Sequence, residues 1–279
     1  MSTEIRIDAL LPAEMARRAE YLGVRKAEMA NAKVFTLAVL AGAFIALGAI
    51  FATTIAAASA SLPYGVARLL VGLAFCLGLI LVVVGGAELF TGNNLIVMAW
   101  ASRKVTFSAL LRNWIIVYVG NFVGSVGMAL LVFLSKQYTF GENAIGAAAL
   151  KIAYSKVHLG FVEAIALGIL CNALVCLAVW MTFSARSTID KIAAIIFPIT
   201  AFVAAGFEHS IANMYFVPIA LFIKDFDPAF VAAIGANIEG LTWGAFLLNN
   251  LLPVTIGNII GGAGLVAATY WFVFLRDQD

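Results

Sequence analysis

The sequence predicts an all-α integral membrane protein, with six transmembrane helices in two inverted three-helix repeats and with the second and fifth helices broken. Three observations predict it. The 279 residues are 63% hydrophobic and 11% charged, with a mean hydropathy of +1.03, which leaves too few charges to cover a globular surface. The frame Gly-x-Glu-x-x-x-x-Asn occurs at 86–93 and again at 206–213, 120 residues later, and short matches recurring in order are the signature of a duplication. Lysine and arginine fall unevenly between the two sets of loops, as they do in proteins that cross a membrane.

Residues 1–32 are polar and mixed in charge, with no apolar run before Val34, so no cleavable signal peptide is expected. Within them Leu11, Met15, Ala19 and Leu22 recur three or four apart among Arg17, Arg18, Arg25 and Lys26. That pattern predicts an amphipathic cytoplasmic helix, lying near the membrane face or packed on the bundle. A six-span transmembrane domain then covers 33–275, with repeats at about 33–135 and 159–275, and 276–279 form a cytoplasmic tail.

A span needs about 20 residues. Charge-free stretches at 34–67, 113–135, 164–185 and within 240–275 supply spans one, three, four and six. The second and fifth are different. Residues 69–87 lead to Glu88 and 89–102 follow it; residues 192–207 lead to Glu208-His209 and 210–223 follow. A glutamate inside each otherwise apolar run marks a discontinuous helix, and interrupted segments at matching positions of two repeats point to a midplane binding site. Irregular backbone survives there only where protein or a water-filled cavity satisfies it.

Further tags accompany the frame. Ile45-Ala46-Leu47-Gly48 recurs as Ile165-Ala166-Leu167-Gly168, and Gly120-Asn121-Phe122-Val123-Gly124 resembles Gly257-Asn258-Ile259-Ile260-Gly261 at an offset of 137, which implies about 17 extra residues late in the second copy. Six spans put the amino terminus, the loops after spans two and four and the carboxy terminus on one side, with 12 of the 17 lysines and arginines. Both termini are therefore expected to be cytoplasmic. Three spans per copy is an odd number, so the second copy enters from the opposite face.

Ionisable side chains inside a membrane mark function by default, because a charge at the bilayer centre costs about 2.5 kcal/mol or more. Here they are Glu88, Glu208 and His209. A glutamate in both copies suits a task that both breaks share, accepting hydrogen bonds from backbone amides freed by the interruption; proton transfer by Glu208 is the other reading. His209 has Leu89 as its counterpart, so the scaffold itself does not require an imidazole. A buried histidine can exchange a proton with an arriving monovalent anion, which suits a small weak acid. Half-helix amino termini at the breaks favour an anion too, and Thr91 and Asn213 offer hydrogen bonds without charge.

Other chemistries fit poorly. Cys76, Cys171 and Cys176 are odd in number and lie in apolar runs, without the spacing of a metal site or disulfide framework. Glu208-His209 lacks the second histidine of a zinc helix, and no serine or aspartate is spaced to complete a hydrolase, so neither an enzyme, a metal nor a cofactor is expected. The basic residues form no single patch for nucleic acid.

Together Gly86-Ala87-Glu88-Leu89-Phe90-Thr91-Gly92-Asn93, Gly206-Phe207-Glu208-His209-Ser210-Ile211-Ala212-Asn213-Met214 and Val254-Thr255-Ile256-Gly257-Asn258 closely resemble the signatures of the formate/nitrite transporter family, and the resemblance runs over essentially the whole chain. Leu10-Leu11-Pro12-Ala13-Glu14-Met15 and Lys156-Val157-His158 make it most similar to the formate channel branch. The resemblance implies an aquaporin-like protomer, although aquaporin's Asn-Pro-Ala pairs are missing, in a homopentamer with one pore per protomer in a bacterial inner membrane. By matching position, His209 is then the central pore histidine, with Thr91 opposite it and Glu208 and Asn213 supporting it. Phe75 and Phe202 resemble one constriction, and Leu79, Leu89 and Phe90 the other. Lys156 and Asn172 match residues that attract or orient the anion on the outer side, while Glu88, Asn93 and Asn258 are structural at the breaks. The first break resembles a gating loop and the amino-terminal helix a pH-responsive element. The expected activity is a passive, pH-sensitive channel for formate, moved as anion or with a proton exchanged by His209. Nitrite or hydrosulfide on the same scaffold, or a neutral solute, are the alternatives.

Overall fold

A computed structural model of the chain describes residues 10–59 and 61–276, so expectations placed on 1–9 and 277–279 lie outside the described residues. Every regular element among the described residues is helical. Helix α1 (Pro12–Glu28) begins on Pro12, whose fixed φ suits a first helical turn, and the Glu14 carboxylate accepts from the Leu11 amide at 2.9 Å. It is followed by α2 (Asn31–Ala57) and α3 (Tyr64–Gly85), a short 3-10 turn (Gly92–Ile96), α4 (Val97–Ala101), α5 (Phe107–Leu134), α6 (Ala144–Val157) and α7 (Phe161–Thr182). Then come α8 (Thr188–Ala205), α9 (Ser210–Phe226), α10 (Pro228–Ile234) and α11 (Trp243–Phe274), which widens to π turns over Phe246–Leu251 and Ile260–Ala268.

Six helices, α2, α3, α5, α7, α8 and α11, are long and apolar enough to cross a membrane. Helix α3 stops at Gly86 (φ 72°) and α8 at Gly206 (φ 80°), left-handed positions that glycine adopts without strain. The chain passes through irregular backbone after each stop and becomes helical again at Gly92 and Ser210.

Helix α5 packs on α2 and α11 on α7 through glycines. A Cβ on Gly124 would run into the Val39 carbonyl and one on Gly120 into Ala38; Gly257 and Gly261 face the Ile165 and Ile169 carbonyls in the same way. Gly124→Val is therefore expected to cost about 1–3 kcal/mol or more, read as a lower melting temperature and a reduced monodisperse yield in detergent.

These contacts correct one repeat assignment. Phe35 and Val39 meet α5 where Ile165 and Ile169 meet α11, an offset of 130 rather than 120, so Ile45-Ala46-Leu47-Gly48 and its recurrence are not equivalent positions. The α2–α3 hairpin is longer than the α7–α8 hairpin, 55 residues against 45, which absorbs the difference. Four common apolar residues recur easily by chance in such a chain. The extra residues late in the second copy extend α9 and form α10 and the loop before α11. The 130-residue frame also sets α1 against α6, a helix in the segment between the two repeats expected from sequence. Before α6, the buried Tyr138 donates its hydroxyl to Asp227 at 2.5 Å and accepts from Lys136 at 2.7 Å, and this hydroxyl holds the Asp227 carboxyl below its ordinary range.

Candidate functional site

Each break carries the same polar cluster. In the first, Lys26 donates to Glu88 Oε1 (2.6 Å) and Asn93 Oδ1 (3.0 Å); Asn93 Nδ2 donates to Glu88 Oε2 (2.7 Å) and Asn113 Oδ1 (2.9 Å); Asn113 reaches back to the Lys26 carbonyl (3.2 Å). In the second, Lys156 donates to Glu208 Oε1 (2.7 Å), Asn213 Nδ2 to Glu208 Oε2 (2.7 Å) and Asn250 Oδ1 (2.8 Å), and Asn250 to the Lys156 carbonyl (3.0 Å). The first cluster is closed. The second is open, because Asn213 Oδ1 has no partner among the described residues. Pairing each buried carboxylate with an ammonium and an amide is what makes its burial tolerable.

The glutamates do not take the backbone amides that the interruptions free, contrary to the expectation from sequence. Asparagines on the following spans do so. Asn121 Oδ1 accepts from the Phe90 amide (2.9 Å) while its Nδ2 donates to the carbonyls of Ala38 (2.7 Å) and Glu88 (2.9 Å). Asn258 repeats this with the Ser210 amide and the carbonyls of Gly168 and Glu208, all at 2.9 Å. A carboxamide carries a donor and an acceptor side by side, as a broken backbone demands, whereas an ionised carboxylate only accepts.

His209 caps α9. Its Nδ1 accepts the Ala212 amide hydrogen (3.1 Å), which leaves the proton of the neutral ring on Nε2, 3.0 Å from Thr91 Oγ1. Both side chains are buried, and Phe202 stacks on the imidazole with centroids 5.9 Å apart. Two cavities approach this pair. One, of about 920 Å³, lies on the α1 side and is lined by Leu79, Leu89, Glu88, Lys26, Arg25 and Lys191 among others. The other, of about 270 Å³, lies on the α6 side, where Arg68, Phe75, Lys156, Phe202, Glu208 and His209 line it. The lining cations outnumber the lining carboxylates, and those carboxylates are already ion-paired, so both cavities favour an anion.

Phe75 and Phe202 meet edge to face at 5.6 Å in the α6-side cavity, and Leu79 and Leu89 line the other. Phe90 lines neither: it packs on Trp114 and Tyr118, with centroids 5.9 and 4.9 Å away. Asn172, expected to orient the anion on the outer side, lines neither cavity. It is fully buried and donates to the Thr91 carbonyl (3.3 Å), Asn94 Oδ1 (3.2 Å) and the Asn258 carbonyl (2.7 Å), tying the backbone of the first break to α11. Sequence reasoning missed Lys26, Asn113, Asn121, Asn250 and Arg68 as site residues. Matching Lys26 to Lys156 at an offset of 130 was the available signal for the first.

Comparison with known proteins agrees in extent with these features. The family model "Formate/nitrite transporter" matches residues 13–272. The chain is 47% identical to "Formate channel FocA" of Escherichia coli (strain K12), covering 100% of this chain and 99% of that one, and 40% identical to "Formate channel FocB" of the same strain, covering 100% of each. Among solved structures it superposes on "Pentameric formate channel with formate bound" with a TM-score of 0.83 at 47% identity, covering 88% of this chain and 98% of that one. It superposes on "FNT family ion channel" with a TM-score of 0.78 at 28% identity, covering 93% and 98%.

Proposed function

Because the chain belongs to the formate/nitrite transporter family, a family of channels and transporters and not of enzymes, we propose that it is a passive, pH-sensitive formate channel. In this reading it assembles as a homopentamer in a bacterial inner membrane, with one pathway per subunit and both termini cytoplasmic. The observation that carries the proposal is the buried Thr91–His209 pair set between two cation-lined cavities. Similarity to a pentameric channel with formate bound supports both substrate and assembly.

Formate enters either cavity as the anion, drawn by Lys156 on one side and Lys26 on the other. Both ammonium groups are held near the breaks by their glutamates, which also keep the net charge there low enough for the anion to leave again. Past Leu79 and Leu89, or past Phe75 and Phe202, it loses water and meets the Nε2 hydrogen of His209 in place of Thr91.

Proton transfer demands more than this contact. A neutral ring cannot give up its Nε2 proton to a weak acid's anion, so Nδ1 must first gain one. That converts the cap of α9 into a donor facing the Ala212 amide, and the ring must turn away. Charging and movement are thereby coupled, which gives His209 two modes: hydrogen bonding to a passing anion, or transfer of the Nε2 proton to formate, which leaves formic acid to depart and a neutral ring with its proton on Nδ1. That proton must pass to solvent and Nε2 be reprotonated before the ring caps α9 again.

Uptake into proteoliposomes of formate, nitrite and hydrosulfide, measured side by side, tests the reading. Formate is expected to be preferred; a strong preference for either of the others reassigns the substrate, and water flux well above empty liposomes without anion flux overturns the class.

A further inference from the structure

The second break exposes two helix ends of opposite polarity to the α6-side cavity. The amino end of α9 is electropositive, but the carboxy end of α8 presents carbonyl oxygens, the equivalent of about half a negative charge directed at an arriving anion. Arg68, on the first turns of α3, lies across that end. Its Nε donates to the Ala204 carbonyl at 3.0 Å and its Nη2 to the Val203 carbonyl, and an ideal Cβ on Gly206 would sit 3.6 Å from the same guanidinium. It also lines the cavity that holds Lys156, Glu208 and His209.

The first break has no such arrangement. In the 120-residue frame Thr188 stands where Arg68 does, and the carbonyls of Val83 and Val84, matching Val203 and Ala204, receive no side-chain hydrogen bond from the described residues. The capping is one-sided.

We propose that Arg68 is a positioning residue for permeation, one that converts the anion-repelling end of α8 into a net positive wall and so sets the affinity for anions entering from the α6 side. Guanidinium suits the task, because its planar fork spans two successive carbonyls and stays charged at every relevant pH. Removing it does two things in the same direction: the lining loses a unit charge, and the Ala204 carbonyl loses its side-chain donor while the Val203 carbonyl keeps only the Gly206 amide at 3.1 Å.

The inference rests on the proposed anion pathway. Its test is formate uptake by reconstituted, oriented protein, with each face presented in turn, for the wild type, Arg68→Gln and Arg68→Lys. Wild-type anion uptake is measured first; its absence sinks the functional reading, whatever Arg68 does. Given uptake, Arg68→Gln is expected to raise the half-saturating formate concentration from the α6 side roughly tenfold, to leave that from the α1 side within about twofold, and to flatten the dependence of uptake on ionic strength. Arg68→Lys, which keeps the charge and loses the fork, is expected to recover most of the affinity. Unchanged half-saturation and salt dependence in an intact pentameric Arg68→Gln overturn the proposal. So does an equal loss from both faces that lysine fails to rescue, since that outcome marks a cap required for folding alone.

Discussion

In His209→Asn, proton movement accompanying formate is expected to fall at least a hundredfold while anion conductance persists. General acid–base groups typically contribute 10²–10⁴-fold, and the substituted amide has no proton to exchange. Asparagine is the informative replacement because it is also among the best residues at a helix amino cap, so its Oδ1 can take the Ala212 amide in place of Nδ1 and hold α9 together. Stability should change by less than about 1 kcal/mol, whereas His209→Ala, with no cap at all, should lose about 0.5–2 kcal/mol. Recording internal pH during uptake by proteoliposomes separates the two currents. Proton influx unchanged in the asparagine variant would show that the histidine caps a helix and does nothing else.

Lys156→Met should be the most damaging single change near the site. It leaves the Glu208 carboxylate buried among amides with its partner ammonium gone, and breaking a buried ion pair in this way costs about 3–5 kcal/mol. Adding Glu208→Gln should restore most of that stability, since a neutral amide needs no counter-charge, yet formate uptake should stay low because the cation has not returned. Lys26→Met should be milder. Its side chain is 30% exposed against 13% for Lys156, so water already carries part of the load at Glu88. Thermal melts of the two single variants and the double variant decide the matter, and equal losses at both lysines would show that the clusters are energetically equivalent despite their different burial.

The glutamates, the histidine and the interruptions were legible in the sequence because a membrane makes each of them expensive: a charge inside an apolar run has few explanations, and Leu89 opposite His209 separates scaffold from chemistry. What was not legible was where each polar group spends its hydrogen bonds. Glu88 and Glu208 were expected to bond the broken backbone, but Asn121 and Asn258, on spans far along the chain, hold it instead. Asn172 was expected to orient the anion on the outer side and Phe90 to stand at a constriction; Asn172 donates to the Thr91 carbonyl and Phe90 packs against Trp114 and Tyr118.

By itself the sequence determined the class, the number of spans, the two breaks and the identity of the ionisable residues, since these depend on local composition and on the cost of burying charge in lipid. Only the tertiary structure decided that α1 and α6 are counterparts, that their lysines reach across to the two glutamates, and that Arg68 covers one helix end while its counterpart receives no side chain from the described residues. Those facts depend on how far each helix runs before it turns. The offset between copies shifts from 130 to 120 across hairpins of unequal length, and a register set by helix length is fixed only when the helices pack.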